Sequence, residues 1–277
     1  MQSKLFLYNI EDTFIHRLSG LTKLVSFLFL TSAVMFSYDI RVVLAILIFS
    51  VALLKIAKIK FEQIKIMIIY VLIFLIFNEI ITFLFSPEEG VKIYGTRHVI
   101  LQIYGRYNLT LEQLLYQTTK FFKYISVIPL GIIFILTTNP SELASSLNKV
   151  GVNYKLSFAV ALTLRYFPDV QRDYMDISLA QQARGIDLSY KAKFKDRFKN
   201  ALFIIIPLIF STLDRIEHIS NAMDLRGFGK YKTRIWYTTK KMGIDDYFAI
   251  FVSLLIFVIA VLISIFVNHS RFYNPFI

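Results

Sequence analysis

Residues Tyr247–Val267 read YFAIFVSLLIFVIAVLISIFV, a run broken by no polar residue other than Ser253 and Ser264. A helix needs roughly 20 predominantly apolar residues to cross the hydrocarbon core of a bilayer, so this stretch predicts a membrane span and sets the class of the whole chain. The rest agrees. Of 277 residues, 56% are hydrophobic, with 27 Phe and 16 Tyr, more apolar surface than a water-soluble domain of this length carries. No cysteine is present, which excludes disulfide frameworks and thiolate metal sites. Met1–Asp12 is polar and mixed in charge, without the order of a cleaved signal peptide, so the first hydrophobic run is expected to be retained.

Working back from that span, Leu18–Ser37 and Ile40–Leu54 form a pair of short spans joined by a Tyr38-Asp39 turn. Ile64–Phe85 is a full span ended by Ser86-Pro87. Thr118–Leu136 is another, and the stems of Lys120 and Lys123 near its start suit snorkelling to the interface. The expected fold is therefore an all-α polytopic membrane protein with about five transmembrane helices. Between the third and fourth spans, Ile93-Tyr94, Val99-Ile100-Leu101 and Ile103-Tyr104 alternate around Gly95 and Gly105, which predicts a small extracellular β-hairpin within 90–110.

The formal charge of +12 is not that of a nucleic-acid binder, because the basic residues collect beside the spans, where they set orientation and face anionic lipid. Seventeen of the 31 Lys and Arg lie between Thr138 and Ile244, and four more in Lys55–Lys65. Placing these inside puts the N-terminus in the cytoplasm and the C-terminus outside. Three regions follow: a membrane region 1–138 with four spans and the hairpin, a cytoplasmic region 139–244, and a C-terminal span with a short external tail at 245–277.

The cytoplasmic region holds two helical patterns, near Leu156–Gly185 and Phe198–Gly227. In the first, Val160, Leu164, Phe167, Val170, Tyr174, Ile177 and Ala180 recur every three or four residues; in the second, Leu202, Ile206, Ile209, Leu213, Ile216 and Met223 do. Both predict long amphipathic helices packed on each other and against the membrane face, joined by the basic linker starting at Lys191. Leu202–Phe210 is too short for a span and holds Pro207. Each helix closes on the same skeleton: Ala180-Gln181-Gln182-Ala183-Arg184-Gly185 and Ala222-Met223-Asp224-Leu225-Arg226-Gly227. Small residues permit close approach of another surface, Arg presents a rigid fork of donors, and Gly suits a left-handed helix stop. One copy alone is an ordinary helix end; two in matching positions point to plugs for two grooves on a duplicated partner.

Other chemistry is sparse. No Gly-x-x-x-x-Gly-Lys-Ser/Thr run occurs, so no P-loop is expected. His16, His98, His218 and His269 lack metal-ligand spacing, and His218 reads as a surface or interhelical contact. Glu79, late in the third span, is the most buried-looking charge, of a kind that is costly and often functional, and it lies close enough to the outer interface for Asn78 and water to satisfy it. An intramembrane enzyme built on Glu79 or His98, and a conventional permease forming the substrate path itself, are the competing readings.

The order of motifs resembles the transmembrane T component of energy-coupling factor transporters, the EcfT/CbiQ family. His16-Arg17-Leu18 with Thr22-Lys23-Leu24 is similar to that family's entry into the first span. Thr137-Thr138-Asn139-Pro140-Ser141-Glu142-Leu143 is similar to the Thr-Thr-x-Pro start of its cytoplasmic region, and Leu164-Arg165-Tyr166-Phe167-Pro168 to the helix leading to the first Arg-Gly motif. Ser19-Gly20-Leu21 stands where the family has Asp-Pro-Arg, and Leu225 where the first hexapeptide has Ala183. The resemblance implies a non-catalytic scaffold joining two ABC-type ATPase subunits to one small membrane S component that binds a vitamin or transition-metal ion. ATP and Mg would be held by the partners and no cofactor by this chain. It further implies that Ala180, Ala183, Arg184 and Gly185 dock one ATPase, that Ala222, Leu225, Arg226 and Gly227 dock the other, and that Val160, Leu164, Ile206 and Ile209 face the S component.

Overall fold

The computed structural model describes residues 13–104, 107–186, 194–231, 235–236 and 240–276. Met1–Asp12, Gly105 and the linker from Lys191 to Lys193, all read above, lie outside the described residues. The chain forms two compact units, one within Met1–Glu142 and Lys240–Ile277, the other within Leu143–Thr239.

The first unit holds a single-turn α1 (Phe14–Arg17), α2 (Gly20–Phe36), α3 (Ile40–Ile56), α4 (Phe61–Phe85), a short α5 (Glu89–Tyr94), α6 (Leu111–Thr137) and α10 (Ile244–Leu262), the last extended by a π-helical turn Ile263–Val267. Ile64–Phe85, Leu111–Thr137 and Ile244–Val267 are long and apolar enough to span a membrane, while α2 and α3 have 17 residues each. Side-chain contacts fix the direction of each helix. Ser19 N–H donates to Asp246 Oδ1 at 2.7 Å, and Ser26 and Ser253 bond through their hydroxyls at 3.2 Å, both pairs 227 positions apart. Ala33 and Ala260, at the same offset, are fully buried in one core with Leu30, Val34, Val42, Ile46 and Leu130. α2 and α10 therefore run parallel in constant register at seven-residue intervals, and their small residues let the backbones approach where hydrocarbon offers no hydrophobic drive.

The other pairs follow. Lys23 Nζ donates to Thr137 O at 2.6 Å and Lys123 Nζ to Met35 O at 2.7 Å, so α6 opposes α2. Gln117 Nε2 donates to Glu79 O at 3.2 Å and Gln113 Nε2 to Ser86 O at 3.2 Å, so α6 opposes α4. Ser126 Oγ donates to Val43 O at 3.2 Å, and Ile46 shares a core with Leu130, so α3 parallels α6. Five helices thus alternate in direction. Lys120 and Lys123 do not lift their ammonium groups to solvent. Both are buried: Lys120 donates to Thr82 Oγ1 at 2.6 Å and Lys123 lies 3.3 Å from the Tyr38 ring centroid. Neighbouring helix ends satisfy them at less cost than a long reach along the helix surface.

At the end formed by the α2–α3 turn, β1 (Val99–Tyr104) pairs antiparallel with β2 (Tyr107–Thr110). Ile93-Tyr94 are not strand but the end of α5, which Gly95 stops at φ +72°. Residues 268–276 fold over this end. Tyr38 N–H donates to Arg271 O at 2.8 Å, the rings of Tyr38 and Phe272 lie 4.6 Å apart, and Asn274 Nδ2 donates to Tyr94 O at 3.2 Å.

Asp39 organises the turn. Its carboxylate caps α3 through Arg41 N–H at 2.9 Å, takes the Arg41 guanidinium at 2.8 Å and accepts Asn268 Nδ2 at 3.0 Å. Burial alone would raise its pKa, but these hydrogen bonds and the Arg41 charge hold it below the usual carboxylate value. A depressed folded pKa contributes stability that is present above the unfolded value and lost as pH falls through the folded one. Thermal unfolding in detergent is expected to show stability falling as pH drops below about 4. Asp39→Ala is expected to cost about 2–3 kcal/mol and to flatten that acid dependence.

Candidate functional site

The second unit contains part of α7 (Pro140–Lys149) and the long helices α8 (Tyr154–Ala183) and α9 (Phe194–Leu225). Asn153 caps α8, its Oδ1 accepting Lys155 N–H at 3.0 Å, and α9 runs through Pro207 unbroken. The two hexapeptides end these helices in the same way. After α8, Ile186 N–H donates to Gln181 O at 3.1 Å and Gly185 N–H to Gln182 O at 2.9 Å; after α9, Phe228 N–H donates to Met223 O and Gly227 N–H to Asp224 O, both at 2.9 Å. These are the paired bonds of a Schellman motif, which needs a left-handed residue just past the helix. Gly185 has φ +86° and Gly227 φ +64°, a conformation that a side chain would strain. Arg184 and Arg226 each donate a backbone N–H, at 3.2 Å, to the carbonyl of the Ala that opens its hexapeptide.

Most of both motifs faces outward. Ala180, Ala183, Arg184 and Gly185 are exposed, as are Ala222, Leu225 and Arg226, whereas Gly227 is half-buried. Leu225, 90% exposed, gives the second tip an apolar knob where the first has only a methyl group.

The structure does not bring the two tips together. Tyr154 and Phe158 of α8 pack against Phe228 just beyond α9, with ring centroids 5.8 and 4.7 Å apart; Asp173 Oδ2 meets Arg215 Nη2 at 2.5 Å; Gln181 Nε2 donates to Phe203 O at 3.1 Å. Residue numbers rise along α8 as they fall along α9, so the helices run antiparallel. The second tip thus sits beside the start of α8, and the first lies at its far end. Phe228 packs on Phe158, and Arg184 lies 26 residues further along α8; at 1.5 Å per residue that is a separation of about 40 Å.

Much of each apolar stripe is left uncovered within this unit. Leu164, Phe167, Tyr174, Ile206 and Ile209 remain exposed in this unit, and Val160 is only half-buried. Ile204 of α9 is buried, and polar and aromatic groups add to the contact. Trp236 completes a cluster with Tyr154, Phe158 and Phe228, its ring 5.4 Å from Tyr154 and its Nε1 donating to Asn148 Oδ1 at 3.1 Å. Residues some seventy positions apart meet in this cluster, and no periodicity in the sequence announces it; the aromatic immediately following the second Gly was the only local hint.

His218 is exposed on α9. Glu79 is half-buried beside Lys120 at 3.4 Å, and neither of its shielded carboxylate oxygens accepts an aligned hydrogen bond. Among the described residues no three His, Asp or Glu gather in a way that would hold a metal ion.

Comparison with known proteins assigns this architecture. The sequence model of the CbiQ family, described as cobalt transport protein, matches residues 11–236. Among relatives, the energy-coupling factor transporter transmembrane protein EcfT of Exiguobacterium sibiricum is 27% identical over 63% of this chain and 67% of its own length. That of Streptococcus thermophilus is 25% identical over 83% of this chain and 88% of its own length. The EcfT protein of Listeria innocua is 30% identical over 41% of this chain, a match spanning about half (46%) of that relative. The chain therefore belongs to the CbiQ/EcfT family and is a non-catalytic transmembrane protein of it.

Proposed function

We propose that this protein is the membrane scaffold of an ATP-driven importer, coupling two ABC-type ATPase subunits to one small substrate-binding S component. The observation that carries the reading is the pair of matched Arg-bearing Schellman tips at opposite ends of one antiparallel helix pair. A single chain built this way presents the same plug twice, too far apart for one socket. Arg184 and Arg226 each dock one ATPase, with Ala180, Ala183 and Gly185, or Ala222, Leu225 and Gly227, allowing close seating. The ATPases hold ATP and Mg, and this chain holds no cofactor.

In this reading α2, α3, α4, α6 and α10 all cross the bilayer, with the N-terminus cytoplasmic and the C-terminus external. The strand pair lies outside, and the region 139–244 lies in the cytoplasm. The alternation of five helix directions supports this topology, as does the basic charge of residues 139–244. The exposed Leu164, with Val160 one turn before it, and the exposed Ile206 and Ile209 of α9 offer lubricating apolar surfaces to the S component. ATP-driven closure of the ATPases moves the two tips, and the helices pass that motion to the S component, which carries a vitamin or transition-metal ion.

Native mass spectrometry of the complex in mild detergent is expected to find one copy of this chain with two ATPases and one small hydrophobic protein. Arg184→Ala and Arg226→Ala are each expected to weaken docking by about 10- to 100-fold, the range for a charged hydrogen-bonding partner. Arg→Lys should restore only part, because a point charge lacks the fork. Full uptake by the double Ala variant at normal subunit levels would sink the reading. Since the chain has no cysteine, spin labels at Ala180→Cys and Ala222→Cys report on the two helix ends, and because Gln181 meets Phe203, 19 residues before Ala222, pulsed electron resonance is expected to return a distance of about 30 Å. Phe228→Ala, which empties the aromatic cluster under the second tip, is expected to reduce the complex to one bound ATPase while leaving the Arg184 side occupied.

A further inference from the structure

The membrane unit contains a cavity of about 230 Å³ that the proposed coupling role does not use. Its walls come from α2, α3, α6 and α10 together with the single turn α1, and nearly all are apolar: Phe27, Leu30, Phe49, Leu130, Ile133 and Val252 are representative. Lys23, Ser26 and Ser253 are the polar lining residues. Phe14 and Phe248, both exposed, stand among the lining groups and mark where the cavity meets the outside of the bundle.

The arrangement has a direction. Lys23 lies in the first turns of α2, and its ammonium bonds the carbonyl of Thr137, the last residue of α6. Phe248 lies in the first turns of α10. The polar end therefore coincides with the ends of three helices, at the level of a membrane interface. From there the lining runs along α2 to Leu30 and back along α6 to Leu130, seven residues in each case from Lys23 and Thr137. At 1.5 Å per residue the slot reaches about 10 Å into the core, parallel to the helices and hence to lipid chains.

Lys23 is only 6% exposed. It gives one hydrogen to Thr137 O at 2.6 Å and a longer one to His16 O at 3.4 Å, and it forms no ion pair among the described residues. The nearby carboxylates are engaged elsewhere: Asp246 takes Ser19 N–H and Gly243 N–H, and Glu142 meets Lys240 at 3.0 Å. An ammonium carries three donors, so a buried positive charge with a spare donor heads an apolar slot. An apolar cavity of this size does not hold water well, and left empty its walls lose dispersion contacts on every side.

We propose that this slot takes one acyl chain of an anionic phospholipid from the surrounding bilayer, with the phosphate drawn to Lys23. Charge and shape both match: anion at the interface, chain along the helices. Basic pockets between membrane helices are suited to such headgroups. The proposal stands independently of how the Arg-Gly tips are used.

The test is native mass spectrometry of the full chain purified from nanodiscs made with equal phosphatidylglycerol and phosphatidylcholine of identical chains. One phosphatidylglycerol is expected to remain bound, favoured at least about tenfold over phosphatidylcholine. Ala249→Phe, which fills the slot, is expected to remove this adduct of either lipid while leaving the thermal unfolding midpoint in lipid-free detergent unchanged or higher. Lys23→Met is expected to keep an adduct but lose the preference for phosphatidylglycerol, and Lys23→Arg to retain it. The proposal is overturned if Ala249→Phe carries the same adducts as the wild type. It is equally overturned if the headgroup preference survives in Lys23→Met or is absent in the wild type. A lowered midpoint for either variant calls for Val252→Phe as a second slot-filling change, and the same retention of adducts there would also overturn it.

Discussion

The membrane unit depends on the parallel contact between α2 and α10. Inside a bilayer, apolar side chains gain nothing by leaving lipid for protein, so association must come from close packing and from polar groups that find partners. The two helices supply both at one register: Ser19 with Asp246, Ser26 with Ser253, Ala33 with Ala260. Asp246 serves twice, capping its own helix through Gly243 N–H while accepting Ser19 N–H. The start of α2, Ser19-Gly20-Leu21, carries no acid of its own, and the carboxylate at this end comes from α10. The other helices are then aligned by lysine and glutamine side chains that end on backbone carbonyls of their neighbours.

What could be read from the sequence follows from the range of the interactions involved. Tyr247–Val267 announces itself because membrane crossing is a property of one continuous segment. The left-handed glycines 185 and 227 are equally local, since a Schellman turn is settled within six residues. The strand pair was legible in part: Val99–Tyr104 alternates as a strand should, but Ile93-Tyr94, apolar and β-prone, ends a helix that Gly95 closes. The antiparallel placement of the tips was not legible, because it rests on Phe228 meeting Tyr154 and on Asp173 meeting Arg215. Nor was the fate of Lys120 and Lys123, whose partners Thr82 and Met35 lie on other helices.

The two units solve opposite problems. In the membrane unit the polar side chains turn inward and the apolar ones face out, as lipid requires. In the other unit the tips keep their arginines at the surface, while aromatic rings and a buried glutamine hold the helix ends in place. Much of the apolar stripes of α8 and α9 is left uncovered within their own unit.

Because the membrane unit is assembled from the first 142 residues and the last 38, with the other unit encoded between them, its closure has a schedule. At about 5–20 residues per second, roughly 5–20 s separate the emergence of α6 from that of α10. During that interval α2 displays Ser26 and Ala33 to lipid or to a helper protein, with its parallel partner not yet made. A ribosome that terminates between Gly227 and Ile244 releases a chain bearing both Arg-Gly hexapeptides but lacking the helix that completes its core. Such a product leaves the Ser26 and Ala33 face of α2 without its parallel partner in the bilayer, which makes it a natural client of membrane quality control.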